Sequence, residues 1–337
     1  MRPSDERDRK AEHLRLALDP RMQVERHFFD DYVFVHEALP EIDFETIDTR
    51  TTFLGKTLSA PILISSMTGG TEAAATINRN LAAGAEQAGI ALALGSQRKA
   101  IEDPSQRPTF EVRDLAPSVP LLANLGAVQL NYGFGVDACA EAVRMIDADA
   151  LIFHLNPLQE VLQPEGQTNF AGLLDKMAAV ATELPVPVVV KEVGAGISRA
   201  TAERLAARGL RILDVAGSGG TSWARIEAAR ARDDALATLY GDWGIPTPEA
   251  IRQVRTVPGV TVIASGGVRS GLDIARALAL GADLVGLAAP FLPAALASAD
   301  AVAALARRLQ HELKIAMFCT GARTLADLRR VPLLRRT

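Results

Sequence analysis

The heptapeptide His154-Leu155-Asn156-Pro157-Leu158-Gln159-Glu160 follows an apolar run, Ala150 to Phe153, that reads as a buried strand. It gathers an imidazole, two amides and a carboxylate at the point where that strand ends, a set that can donate, accept and exchange protons with a ligand. In parallel α/β proteins the carboxyl ends of strands are where ligands bind. A polar loop that merely caps a strand would look the same. What favours a site is that several other strand ends along the chain are also polar or glycine-rich.

Ser66-Met67-Thr68-Gly69-Gly70 pairs glycines that free backbone N–H groups for a flat or anionic ligand, or else makes a tight turn. Gly95-Ser96-Gln97-Arg98 adds a guanidinium suited to a carboxylate or diphosphate, unless Arg98 pairs with Glu102 or Asp103. Asn124 offers an amide toward a heterocycle edge, or ties down its own loop. Lys191 directly follows Val188-Val189-Val190, and a buried ammonium requires a negative group nearby. Its neighbour Glu192 points to the opposite face of a strand, so the negative group is expected in the pocket. Two glycine signatures come next, Gly217-Ser218-Gly219-Gly220-Thr221-Ser222 and Ser265-Gly266-Gly267-Val268-Arg269. Exposed amides at adjacent strand ends suit a phosphate. Neither matches the dinucleotide fingerprint or the P-loop.

Eight apolar runs position these groups: Pro61–Ser65, Ile90–Leu94, Pro120–Leu125, Ala150–Leu155, Val186–Val190, Ile212–Ala216, Val260–Ala264 and Asp283–Leu287. Most lack alternation, as expected of parallel strands covered on both faces. Between them lie helical segments such as Glu72–Ala88, Ala171–Leu184, Arg199–Arg208, Pro248–Val257 and Ser270–Leu280, with Ser198 and Thr247 as caps and Gly209 and Gly281 as stops. Eight strands alternating with helices predict a TIM (β/α)8 barrel over 60–337, preceded by an N-terminal extension over 1–59. A doubly wound open sheet is the rival. The stretch 217–246 exceeds a usual connection, carries Tyr240, Asp242 and Trp243, and is expected to be a mobile lid.

Composition sets the limits. The chain has 337 residues, 48% of them hydrophobic, and a net charge of −4, which argues against nonspecific nucleic-acid binding. Two cysteines, Cys139 and Cys319, form neither a disulfide framework nor a metal motif, so a cytoplasmic location is the expectation. The N-terminus is charged and reads as no secretory signal. The apolar stretch Ala275–Ala306 is interrupted by Asp283, Pro290, Pro293 and Asp300, and no membrane span is expected.

Across nearly its whole length the chain resembles the type 2 isopentenyl-diphosphate isomerases. The resemblance is carried by Arg9-Lys10 with His13, Met67-Thr68-Gly69-Gly70, Gly95-Ser96-Gln97-Arg98, the heptapeptide, Lys191-Glu192-Val193-Gly194, Gly219-Gly220-Thr221-Ser222-Trp223 and Ser265-Gly266-Gly267. The glycine motifs are shared with other FMN barrels; the heptapeptide and the Arg-Lys pair discriminate. The resemblance implies FMN, reduced by NADPH, held by Met67, Thr68, Gly69, Ser96, Asn124, Lys191, Ser218, Thr221, Gly266, Gly267, Val268, Arg269, Ala288 and Ala289. It implies a substrate, isopentenyl or dimethylallyl diphosphate, held by Arg9, Lys10, His13, Ser96, Gln97 and Arg98, with His154 and Asn156 orienting it. It further implies Mg2+ on Glu160, Gln159 beside the reacting carbons, Lys191 stabilising the anionic reduced flavin, and a homotetramer or octamer. Trp223 either closes over the prenyl group or simply packs. Sequence pattern alone makes the N-terminal arm disordered, whereas the resemblance has it fold over the site. The competing readings are an FMN-dependent hydroxy-acid oxidase or dehydrogenase using His154 as base, and a flavin-binding protein without catalysis.

Overall fold

The computed structural model describes residues 6–67 and 72–336. Eight parallel strands close on themselves: β1 (Ile62–Ile64), β2 (Ala91–Ala93), β3 (Leu121–Gly126), β4 (Ala150–Leu155), β5 (Val188–Glu192), β6 (Ile212–Asp214), β7 (Thr261–Ala264) and β8 (Leu284–Leu287). β8 pairs with β1, so the open-sheet rival is excluded. Most of the expected strands recur within two residues. β5 begins two residues late because Pro187 has no N–H to give a ladder, and it runs on through Lys191 and Glu192. Lys191 is therefore part of the strand and not a residue of the loop beyond it.

The strands separate two apolar layers. Leu63, Ala91, Ala93, Leu122, Ala150, Ile152, Val189, Ile263 and Leu284 point into the barrel, while Ile62, Leu92, Leu121, Leu151, Val190 and Val285 pack against the helices. The floor is plugged by an antiparallel hairpin, Thr51–Phe53 with Lys56–Leu58, whose Phe53 and Leu58 join the inner layer. Because a strand has period two, the residue two positions beyond each inward apolar one also faces in. Ser65, Gly95, Asn124, His154, Lys191, Asp214, Ser265 and Gly286 thus form one ring at the carboxyl end of the barrel.

Helices begin and end where local chemistry dictates. Ser198 caps Arg199–Ala207 by accepting from the N–H of Thr201, and Ser270 with Asp273 makes a reciprocal capping box on Gly271–Ala279. Thr247 is the first residue of its helix, one position later than its expected role as cap. Within the described part of the extension, His13, Leu14 and Ala17 of the helix Glu6–Ala17 line the cavity at the barrel mouth, and Tyr32–Phe34 pairs with Leu333–Arg335 near the C-terminus. That ladder, with the Arg336 N–H donating to the Asp31 carbonyl at 2.7 Å, ties the basic C-terminal run to the extension. The stretch 217–246 holds two helices, Trp223–Ala231 and Asp234–Tyr240. Among the described residues no helix is long and apolar enough to cross a membrane.

Candidate active site

A cavity of about 480 Å³ opens above the polar ring. Ser65, Gly95, Asn124, His154, Lys191, Ser265 and Gly286 line its floor, the two glycine loops and Ala288-Ala289 one side, and Gln159, Trp223 and His13 the other.

The floor is wired across neighbouring strands. Asn124 Nδ2 donates to Ser66 Oγ at 2.7 Å, which leaves its Oδ1 to accept from His154 Nδ1 at 2.8 Å. With Nδ1 carrying the proton, His154 Nε2 presents a lone pair. Burial, reinforced by the charge of Lys191, pushes the imidazole down to about 4, so it is neutral at pH 7. Lys191 Nζ donates to the carbonyl of Glu192 at 2.6 Å and lies 3.8 Å from Asp214 Oδ2. Glu192 does not reach Lys191. Its carboxylate curls into its own loop and accepts from the N–H groups of Val193 (2.7 Å), Gly194 (2.7 Å) and Ala195 (2.5 Å), while burial lifts its pKa above the ordinary range.

The glycines after β6 and β7 let two backbones touch. Gly266 has φ +98°, and a Cβ on it would fall 2.1 Å from the carbonyl oxygen of Gly217. A Cβ on Gly220 would meet the Gly267 nitrogen at 2.6 Å. Gly220, Thr221, Gly266, Gly267, Val268, Arg269, Ala288 and Ala289 all line the cavity at this end, forming a backbone-rich cup at the start of the Gly271–Ala279 helix. Arg269 Nη2 donates to the Gly219 carbonyl at 3.2 Å, which fixes the guanidinium beside the cup.

The opposite wall is held by a charged network. Gln159, on the helix Pro157–Leu162, accepts from Asn156 Nδ2 at 3.2 Å and donates to Glu227 Oε1 at 3.0 Å, so its amide is gripped at both ends. Glu227 is fully buried, with His13 Nε2 2.9 Å and Arg230 Nη1 2.5 Å from its two oxygens. Burial works to raise its carboxyl, but His13, Gln159 and Arg230 together outweigh burial and hold it below the usual carboxylate range. The His13 ring packs edge-on against Trp223, centroids 5.2 Å apart.

Several expected site residues lie elsewhere. Gln97 is fully buried outside the barrel, where it donates to the Ala142 carbonyl at 2.9 Å and accepts from the Asn124 N–H at 3.0 Å. Arg98 pairs with Glu102 at 2.7 Å, and neither lines the cavity. Asn156 sits behind Gln159, its Oδ1 buried without a partner. Glu160 faces away from the cavity and accepts from Asn156 Nδ2 (2.8 Å) and the Gln167 N–H (2.6 Å). Ser218 is buried, its N–H donating to the Ile245 carbonyl at 2.9 Å. Met67 and Ser96 line the cavity. Thr68 and Gly69 lie outside the described residues. Arg9 and Lys10 fall in the Glu6–Ala17 helix, and their side chains are outside the description. Glu227 and Asp214 were absent from the sequence-based expectation. Strand parity would have found Asp214, two residues beyond Ile212, whereas the only local mark of Glu227 is its place four residues after Trp223.

A family model described as FMN-dependent dehydrogenase matches residues 19–110 and 157–335. An isopentenyl-diphosphate delta-isomerase of Nostoc sp. is 50% identical over 334 residues, covering 97% of this chain and 95% of that protein. One of Paracoccus zeaxanthinifaciens is 52% identical over 331 residues, covering 95% of each. Among solved structures, mandelate oxidases superpose with TM-scores of 0.66 and 0.67 at 19% and 18% identity, covering 96% and 98% of this chain and 92% and 98% of theirs. That likeness speaks for the barrel alone. Half of the residues shared along nearly the full length, on a barrel matched by an FMN-dependent family, place this chain in the FMN-dependent, type 2 isopentenyl-diphosphate delta-isomerase family.

Proposed function

We propose that this chain interconverts isopentenyl diphosphate and dimethylallyl diphosphate by moving a proton between allylic carbons. The observation that carries the reading is Gln159, fixed by Asn156 and Glu227 at the wall facing the polar ring. The cavity suits FMN: the volume is that of a cofactor site, the glycine cup suits its phosphate, and Lys191 and Asn124 face the space left for the ring. When bound and reduced by NADPH, FMN supplies an electron-rich face and a nitrogen that exchanges protons, with no net redox change.

The protein's own part is positional and electrostatic. Lys191 holds positive charge toward the ring, and neutral His154 offers Nε2 as an acceptor for a donor on the ligand. Glu227 stays anionic in a buried wall, and with the face of Trp223 it favours positive charge developing on the prenyl carbons. His13, Leu14 and Ala17 of the N-terminal helix help exclude water over the same wall. Ser96, Arg9, Lys10 and Arg98 are the diphosphate ligands in this reading. For Arg98 this requires leaving Glu102, a partly exposed pair four residues apart worth about 0.5 kcal/mol. Gln97 supports the site from behind, through the backbone of Asn124.

The described residues contain no cluster of three or more His, Cys, Asp or Glu able to hold a metal. In this reading Glu160 would hold Mg2+, for which its carboxylate would have to turn from Asn156 Nδ2 and the Gln167 N–H, and the ion would supply positive charge to neutralise a diphosphate. A homotetramer or octamer in the cytoplasm completes the proposal.

A hydroxy-acid oxidase needs an imidazole that readily takes up a proton. His154, bonded to an amide and held near 4, is a poor base for that. The test is proton NMR of the protein with isopentenyl diphosphate, FMN, Mg2+ and excess NADPH without oxygen. Many turnovers to dimethylallyl diphosphate per NADPH consumed is the expected result. Folded, flavin-loaded protein that yields no allylic product would sink the isomerase reading.

A further inference from the structure

Of the three ionisable residues in the inward-facing ring, His154, Lys191 and Asp214, only Asp214 has no part in the proposed reaction. It is 1% exposed and lies beneath the cavity floor without lining it. The register sets His154, Lys191 and Asp214 side by side on β4, β5 and β6. Asp214 Oδ1 accepts from Ser265 Oγ at 2.6 Å and from the N–H of Ala216 at 3.3 Å. The second contact steadies Ala216 at φ +35°, an uncommon conformation for a residue with a Cβ. Oδ2 has no hydrogen-bond partner and faces Lys191 Nζ at 3.8 Å.

The groups around Lys191 leave Asp214 as its counter-ion. His154 on one side is neutral, and the Glu192 carboxylate is turned into its own loop. Burial raises the Asp214 carboxyl above its ordinary range, and the charge of Lys191 with the two donors at Oδ1 offsets only part of that rise. A proton placed on Oδ2 would find no acceptor, while Oδ1 already receives two donors. The geometry fits an ion pair.

We propose that Asp214 is the ionised counter-ion of Lys191, and that by sharing that one ammonium it limits how strongly the site favours an anionic reduced flavin. Asp214 is a positioning residue, since it acts through Lys191 and touches no ligand. The inference rests on the reading of the cavity as the FMN site.

Asp214→Asn keeps the volume and removes the charge. The ammonium then faces the flavin alone, so the reduced anion gains stability. The experiment is a spectroscopic redox titration of FMN-loaded wild type and D214N, with circular dichroism and flavin content measured on both. The expected result is a positive shift of the midpoint potential equivalent to roughly tenfold in the reduction equilibrium, about 30 mV for a two-electron couple. An unchanged potential would make Asp214 a neutral packing residue and overturn the proposal. A negative shift would overturn it too, because it would mean that Lys191 loses its charge or place without Asp214. Should D214N fail to fold, D214S, smaller and also uncharged, carries the same three readings. The flavin content of the wild type tests the cavity assignment by itself, and a wild-type chain that takes up no FMN overturns both.

Discussion

Gln159 shows how much of this site depends on single side chains held from outside. An amide neither gives nor takes a proton readily, so its value lies in being fixed, and Asn156 and Glu227 fix it. Replacing it with leucine keeps the bulk and removes both contacts. For Q159L the expected outcome is a fall in kcat of about 100-fold or more, with FMN content unchanged, because Gln159 does not touch the phosphate cup. The NMR rate and the flavin absorbance of the purified protein check the two halves of that statement. Gln159 was visible in sequence because it stands in a polar heptapeptide at a strand end. Glu227 was not, being one of 40 acidic residues, 68 positions further on and marked only by its place four residues after Trp223.

At the scale of elements, the two glycine loops and the arm that covers them decide whether a cofactor stays. Gly266→Ala forces a Cβ onto the Gly217 carbonyl and strains a backbone at φ +98°, so the loops must part. FMN binding, followed by fluorescence titration, is expected to weaken at least tenfold, on the order of 1.4 kcal/mol or more. The arm is pinned by His27, whose Nδ1 is 3.2 Å from Asp30 and whose Nε2 is 3.3 Å from Asp273 and 3.2 Å from the Gly267 carbonyl. Arg276 bridges the same two carboxylates, at 3.2 Å from Asp30 and 3.1 Å from Asp273. The bond to Asp273, working against burial, raises His27 above the ordinary imidazole value. A raised native value means the folded state holds the proton more tightly. The contribution of this contact is therefore complete below about pH 6.5 and is lost as pH climbs through the native value. Hydrogen-exchange protection over residues 20–34, taken relative to the intrinsic rate at each pH, is expected to fall above neutral pH in the wild type, and His27→Gln should remove most of that dependence.

Taken whole, the barrel separates chemistry at one end from stability at the other. At the floor, Asp149 receives Lys56 of the hairpin at 2.7 Å, Arg113 at 2.8 Å and the Leu121 N–H at 2.8 Å. Burial would raise its carboxyl, and these three partners overcome that and lower it. Its contribution is present above the unfolded value near 3.9 and is lost as pH falls through the lowered native one. Asp149→Asn leaves two cations without their anion. It is expected to cost about 2 kcal/mol and to lower Tm by roughly 4 °C, with the isomerisation rate unchanged. Calorimetry and the NMR assay would show it, and an equal loss of rate would mean that the two ends are coupled.

Strand number, order along the chain and the two glycine loops were set by local sequence, because apolar runs between capped helices admit few alternatives to a parallel barrel. The same local signals located His154, Gln159 and Lys191. Only the closed barrel decided which strand-end residues share its interior, since facing depends on register with strands distant in sequence. It turned Gln97 outward to brace Asn124, set Asp214 beside Lys191, and left Arg98 with Glu102. It also brought Glu227 across 68 residues to Gln159 and paired the C-terminal run with Tyr32–Phe34. A three-residue strand and a lone carboxylate carry too little local preference to be read in one dimension, and their places come from the contacts that closure creates.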